Sequence, residues 1–134
     1  MNLMKQIKLV LILCYMMKKN LLLLVVILKR VKIITWHAAA YGGDKVVGCG
    51  RMFPEYEGRY HIGRIAVLKE YRGMDIGTAI MNAFEKTAAN ESICCIVLSA
   101  QRRARDFYLK LGYEAVGDEY LEEGYPHTFM KKMI

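Results

Sequence analysis

Two patterns that define common classes of small protein are missing from this sequence of 134 residues. None of its four cysteines, Cys14, Cys49, Cys94 and Cys95, belongs to a C-x-x-C pair. Cys94 and Cys95 are adjacent in an apolar run, and consecutive side chains of a strand point to opposite faces. The sequence therefore predicts neither a metal site nor a disulfide framework, and it favours free, buried thiols in a reducing cytoplasm.

The second missing pattern is an apolar run long enough to cross a membrane. Residues 9–17 and 21–28 form two apolar runs separated by Lys18, Lys19 and Asn20. Each run is well short of the roughly 18 to 20 residues that a spanning helix needs. The basic start and apolar core suggest a signal peptide, but no A-x-A-like cleavage site follows. We expect these runs to form a first strand and a first helix that pack on the core and stay out of the membrane.

Acidic residues are absent before Asp44, which sets the first part of the chain apart. Residues 1–35 carry seven basic residues and no acid, whereas residues 36–134 carry 13 basic and 13 acidic residues. The net charge of +7 therefore arises in the amino-terminal segment. Neither a basic strand interleaved with aromatic residues nor a helix-turn-helix pattern occurs, so we expect no nucleic-acid partner.

The rest of the chain shows regular patterns that indicate one globular domain over residues 1–134. With 54% hydrophobic and 25% charged residues, a chain of this length can bury a core. Alternating apolar residues and turn signals predict strands over residues 38–41, 46–52, 59–68, 92–100, 113–120 and 127–132. Apolar spacing predicts helices over residues 78–89 and 102–111, a hairpin turn at 42–45 and a second turn at 54–58.

The most informative stretch joins a predicted strand to a predicted helix through a short loop. The strand ends near Leu68, the loop covers residues 72–77 and the helix begins at Thr78. The first turn of a helix leaves backbone N–H groups unpaired and carries the positive end of the helix dipole. Small residues in the loop allow a phosphate group to approach those N–H groups. The stretch therefore predicts a site for a phosphate-bearing ligand.

This stretch resembles the central motif of the GCN5-related N-acetyltransferases. In that family a loop of the form Gln/Arg-x-x-Gly-x-Gly/Ala binds the pyrophosphate of acetyl-CoA. Arg72, Ile76 and Gly77 fit the motif, whereas Asp75 stands where the family has glycine.

Two further segments carry the same resemblance. Residues 104–113 are similar to the family's A-x-x-F-Y-x-x-x-G-Y/F segment, and residues 124–127 are like the G-x-P-H turn of a bacterial subgroup of the ElaA and YjcF type. The resemblance covers about residues 36–134. Residues 1–35 lack the acidic, polar strand and helix that line the acceptor site in that subgroup, so they are either a natural replacement or the product of a reading-frame difference.

The resemblance implies an α+β (α/β) fold, with a mixed, mostly antiparallel sheet flanked by helices. It also implies acetyl-CoA as the co-substrate and no metal. Backbone groups of the strand would hold the pantetheine arm and the acetyl carbonyl, and the loop would hold the pyrophosphate. The implied cofactor-binding residues are Ile65, Ala66, Val67, Arg72, Gly73, Met74, Asp75, Ile76, Gly77, Thr78 and Gln101.

The resemblance also implies that Tyr108 is the general acid, because its phenol would face the cofactor sulfur. An attacking amine must be neutral, so the reaction needs a base as well. His61 and His127 titrate in the right range, and Glu57 or Glu119 would serve if burial raised its pKa. All four are alternatives for the base.

The function implied is a cytoplasmic N-acetyltransferase that acts on a primary amine of a small-molecule or peptide acceptor, with a homodimer as one possible assembly. The alternative is a protein that keeps the fold but has lost catalysis and acts as a cofactor sensor or an interaction module. Asp75 and the atypical residues 1–35 favour this alternative, because both alter the expected site.

Overall fold

One mixed sheet of nine strands organises the part of the chain that the computed structural model describes, residues 7–16, 22–31, 34–56 and 58–134. The strands are β1 Ile7–Met16, β2 Leu22–Arg30, β3 Thr35–Gly42, β4 Lys45–Tyr56, β5 Arg59–Val67, β6 Cys95–Gln101, β7 Glu114–Ala115, β8 Tyr120–Glu122 and β9 Tyr125–Met133. The α-helices are α1 Ile76–Asn90 and α2 Arg105–Lys110, and single 3-10 turns cover Lys69–Tyr71 and Arg102–Ala104. This arrangement confirms the predicted fold class.

The sheet has the order β1-β2-β3-β4-β5-β6-β9-β7, and β8 pairs with β9. Each of the first five strands is antiparallel to the next one. The predicted hairpin turn is confirmed between β3 and β4. The connection from β5 to β6 carries α1, and β6 therefore lies parallel to β5.

Helix α1 packs across one face of the sheet and forms the core with it. Ile80, Ala83, Phe84 and Ala88 are fully buried, as their helical spacing predicts. The helix approaches β4 closely at Gly50, where an added Cβ would lie 2.9 Å from Cε2 of Phe84. A side chain at position 50 would therefore force the side chains of Ile65 and Phe84 to shift.

The prediction of a helix over residues 21–28 was wrong, because the described residues 22–28 lie in β2. Leu23, Val25 and Ile27 are fully buried and alternate with half-buried neighbours. Such period-two burial is that of a strand, and β-branched residues favour it further. The segment pairs with β1 and β3, so it packs in the sheet as expected. Within the described part of the chain, no helix has the length and apolar character needed to cross a bilayer.

Several predicted boundaries also differ from the structure. Helix α1 begins two residues earlier than predicted, β6 begins only at Cys95, and β4 continues through Pro54. A 3-10 turn precedes α2 where one helix was predicted. The predicted strand over residues 113–120 was wrong: only short pieces of it pair with β9, because the chain turns at Gly117, which has a φ of 79°.

The expectation of buried thiols is confirmed for Cys95 and is wrong for Cys49 and Cys94, which are exposed. The adjacent residues Cys94 and Cys95 therefore differ in exposure, and β6 begins between them. Neither forms a disulfide. No group of metal-binding side chains occurs among the residues that the structure describes. The side chain of Cys14 lies outside that description.

Candidate active site

The site begins where the two parallel strands separate. β5 and β6 pair over only three residues each, Arg59 to His61 with Cys95 to Val97. From Ile62 to Val67, β5 pairs only with β4. Its other edge therefore presents backbone N–H and C=O groups that the sheet leaves without a strand partner. A ligand chain can bind along this edge as an extra strand would.

A bulge in β5 lies on the same stretch. Gly63 pairs with Arg51 and Ala66 with Cys49, so two residues of β5, Arg64 and Ile65, face one residue of β4. Arg64 has a φ of 56°, in the left-handed region. Bulges turn the backbone groups of a strand away from their usual direction and are frequent next to active sites.

The loop before α1 has the geometry of an anion site. Gly73 and Asp75 both have left-handed backbone angles, with φ of 78° and 61°. The Asp75 carbonyl accepts the N–H of Ala79 at 3.0 Å, while its exposed side chain makes no capping hydrogen bond. The N–H groups that open α1 therefore have no partner within the helix. Arg72 Nε donates to the Val67 carbonyl at 3.1 Å and ties the loop to the end of β5.

The first cavity, of about 540 Å³, lies between the end of β5, this loop and α2. It brings together nine of the eleven predicted cofactor-binding residues: Ile65, Ala66, Val67, Arg72, Gly73, Asp75, Ile76, Gly77 and Thr78. The other two lie elsewhere. Met74 is half-buried against the core, and Gln101 is exposed and accepts a hydrogen bond from Arg103 Nε at 3.1 Å.

Four further residues line this cavity without having been predicted as cofactor ligands: Tyr71, Arg103, Ala104 and Phe107. The A-x-x-F-Y segment already contains Ala104 and Phe107, so the same motif could have identified them. No motif marks Tyr71 or Arg103. Arg103 adds a second cation to a cavity whose other charged residues are Arg72 and Asp75.

Tyr108 lies where the first cavity meets a second one, and it lines both. Its side chain is held edge-on by Phe107 and Tyr113, with ring centroids 5.0 and 5.9 Å away. Burial raises the pKa of Tyr108 to about 12, so the phenol keeps its proton at neutral pH. None of the described residues makes a hydrogen bond with its hydroxyl group, which leaves that group able to donate to a ligand.

The second cavity, of about 660 Å³, lies in the gap between β5 and β6, with Arg51 of β4, Glu122 of β8 and His127 of β9 in its walls. Both candidate histidines line it. His127 is buried, with Nδ1 2.8 Å from the Tyr125 carbonyl and Nε2 3.3 Å from Glu122 Oε2. His61 is half-buried, and its Nδ1 lies 3.2 Å from Glu55 Oε2.

The two carboxylates proposed as bases have different outcomes. Glu57 lies outside the described residues. Glu119 forms an ion pair with Arg102 and does not line either cavity. The hydrogen bond from Arg102 lowers the pKa of Glu119, whereas a role as base required burial to raise it. This part of the hypothesis is wrong for Glu119.

Glu119→Gln is accordingly expected to leave kcat within about threefold of the unmodified protein, because Glu119 forms only an exposed ion pair. Because the pKa of Glu119 is lowered in the folded protein, the ion pair stabilises the fold at pH values above the ordinary pKa of a carboxyl group. This stabilisation is lost as the pH falls and Glu119 takes up a proton. We therefore expect Tm to drop by no more than about 4 °C at neutral pH, and by less near pH 3. Thermal melts and steady-state rates test this, and a large loss of kcat would place Glu119 in the reaction.

The separated strands, the bulge and the anion-binding loop are the features of an acyl-CoA N-acyltransferase fold, and comparison with known proteins bears this out. Residues 32–134 match the profile of the acetyltransferase (GNAT) domain. The chain belongs to this family of acetyltransferases, as its motifs over residues 36–134 had predicted.

Three relatives illustrate the match. The uncharacterized N-acetyltransferase YjcF of Bacillus subtilis (strain 168) is 40% identical over 97 residues, which are 72% of this chain and 69% of that protein. The crystal structure of Escherichia coli ElaA superposes with a TM-score of 0.67 at 25% identity, covering 74% of this chain and 68% of ElaA. An aminoglycoside 6'-N-acetyltransferase complexed with coenzyme A shares the fold, with a TM-score of 0.67, 22% identity, and 74% and 72% coverage.

Proposed function

We propose that the protein transfers the acetyl group of acetyl-CoA to a primary amine in the cytoplasm, by direct attack of the amine on the thioester. The observation that carries this proposal is the position of Tyr108. This protonated phenol lies between a cavity with an anion-binding loop and a second cavity that has a polar lining.

The first cavity suits acetyl-CoA in its shape and its donors. The pyrophosphate would accept hydrogen bonds from the free N–H groups of residues 73–78, at the positive end of α1. Arg72 and Arg103 would offset its negative charge. The pantetheine arm would lie along the open edge of β5 and pair with backbone groups of Ile65, Ala66 and Val67. An aminoglycoside 6'-N-acetyltransferase of the same fold binds coenzyme A, which supports a coenzyme A thioester as the ligand.

The proposed reaction has two steps at the thioester, attack on its carbonyl carbon and release of its sulfur. The amine nitrogen attacks the thioester carbon, and a backbone N–H at the Ile65 bulge would stabilise the oxyanion that forms. When the C–S bond breaks, the sulfur takes a proton from the Tyr108 hydroxyl. The amine loses a proton in the same sequence, and His61 and His127 are the two candidates for accepting it, because both line the second cavity.

Release of free thiol from acetyl-CoA tests the proposal, measured with a panel of small amines, amino acids and short peptides. We expect release that depends on the amine and is proportional to the protein concentration. Calorimetric titration of acetyl-CoA serves as the control. Tight binding of acetyl-CoA without thiol release for any amine would contradict the proposal and would favour a cofactor-sensing role.

A further inference from the structure

The second cavity contains charged groups of both signs on different walls. Its charged lining residues are Arg51, Arg64, Arg103, Glu122 and Glu123, of which Arg51 comes from β4 and Glu122 from β8. In the sheet, β5, β6 and β9 lie between these two strands. A volume of about 660 Å³ is within the range of small-molecule sites.

The side chain of Arg51 is positioned by an aromatic ring but forms no ion pair with the described residues. Its guanidinium lies over the Phe53 ring, 5.0 Å from the centroid, and the Phe53 ring stacks in turn on His61 at 5.1 Å. Its Nε is enclosed and has no hydrogen-bond partner among the described residues. No carboxylate in the described part of the chain forms an ion pair with it. A buried donor without a hydrogen-bond partner lowers the stability of the protein. A ligand that forms a hydrogen bond with the guanidinium group would therefore gain binding free energy.

The surroundings of Arg51 favour an anion. His37 lies directly across from it on β3. Burial lowers the pKa of His37, and the charges of Arg51 and Arg30 lower it further. Arg51 and Arg30 therefore place two positive charges close to His37.

The opposite wall presents an oriented carboxylate. Oε2 of Glu122 lies 3.3 Å from Ser99 Oγ and 3.3 Å from His127 Nε2. The Tyr120 hydroxyl forms a further hydrogen bond with Ser99. The Tyr125 carbonyl lies against the other ring nitrogen of His127, so the side chains of Ser99 and His127 are both fixed beside one oxygen of Glu122. About half of this side chain is exposed, and Oε1 makes no hydrogen bond with any described residue, so it can accept one from an ammonium group.

We propose that the second cavity binds an acceptor that carries a carboxylate as well as its amine, such as a free amino acid, with the carboxylate on Arg51 and the amine oriented by Glu122. This inference rests on the proposed acetyl transfer and names its substrate class. A guanidinium binds a planar carboxylate through two parallel hydrogen bonds, which an amine without that group cannot make.

The test uses acceptor pairs that differ only in the carboxylate: lysine and cadaverine, phenylalanine and phenethylamine, tyrosine and tyramine. We expect kcat/KM for thiol release to favour one amino acid over its partner at least about fivefold, and Arg51→Gln to bring that ratio close to one. Arg51→Lys keeps the positive charge but cannot form two parallel hydrogen bonds with a carboxylate, so it should give an intermediate ratio. Arg30→Gln is the matched control, because it removes the same charge nearby but outside the cavity, and it should keep the ratio of the unmodified protein.

Thermal shifts with the same compounds at millimolar concentration separate this inference from the proposed reaction. Stabilisation by an amino acid that is lost in Arg51→Gln, without thiol release, would contradict acetyl transfer and support the carboxylate site. Thiol release with no preference for the carboxylate would support acetyl transfer and overturn the site. A preference for phosphoethanolamine over every amino acid, or no stabilisation and no turnover by any amino acid, would also overturn it.

Discussion

Tyr108→Phe is expected to lower kcat by about one to three orders of magnitude and to change acetyl-CoA affinity little. The phenylalanine keeps the ring that packs on Phe107 and Tyr113, and it removes only the proton that the leaving thiolate would take. Burial holds the pKa of Tyr108 at about 12, so the phenol is protonated throughout the working range. The loss should therefore be similar at about pH 6 and about pH 9, measured by steady-state thiol release and calorimetric titration.

Tyr113→Phe is the matched control for this prediction. Tyr113 is also buried and also contacts Tyr108, but its hydroxyl donates to Glu85 Oε2 at 3.3 Å and does not line either cavity. Its removal should cost about 1 kcal/mol of stability and leave kcat close to that of the unmodified protein. An unchanged kcat in Tyr108→Phe, or an equal loss in both variants, would remove Tyr108 from the proton transfer.

Asp75→Gly is expected to tighten acetyl-CoA binding about tenfold, with a gain that shrinks as salt is added. Two effects contribute. The aspartate places a negative charge beside the predicted pyrophosphate site, where a pair of unit charges roughly 6 Å apart would cost about 3 kcal/mol before screening and closer to 1 kcal/mol with solvent and salt. It also places a side chain at a position where glycine would let the pyrophosphate come within hydrogen-bonding reach of the loop.

Asp75→Asn separates the two effects, because asparagine tolerates the left-handed region as aspartate does but carries no charge. We expect the asparagine variant to recover the salt-dependent part of the gain and the glycine variant to add a part that salt does not change. Calorimetric titration of acetyl-CoA into the three proteins at low and high salt measures both parts. Equal affinity in all three, or weaker binding by the glycine variant, would contradict this description of the loop.

The sequence predicted the residues of the first cavity better than those of the second, because the first cavity depends more on interactions between residues close in sequence. Residues 72–78 form one continuous stretch, a loop and the start of α1, whose geometry depends on local backbone angles. Nine of the eleven predicted cofactor-binding residues line the first cavity, and six of these nine belong to this stretch. The left-handed angle at Asp75 likewise follows from the position at which the family motif has glycine.

The acceptor side depends on strand pairing across the sheet. Arg51 lies far in sequence from Glu122 and His127, and only the pairing of the intervening strands brings them to one cavity. The same limit explains the error at residues 21–28. A short, continuously apolar run fits a buried helix as well as a strand, and the choice depended on partners in β1 and β3.

A crystal structure of the protein with acetyl-CoA is the most direct test of the central claim, that the thioester lies beside Tyr108 at the junction of the two cavities. We expect the pyrophosphate on the N–H groups of residues 73–78, the pantetheine arm along β5 from Ile65 to Val67, and the sulfur within hydrogen-bonding distance of the Tyr108 hydroxyl. A cofactor that leaves this loop empty, or a sulfur out of reach of Tyr108, would contradict the claim.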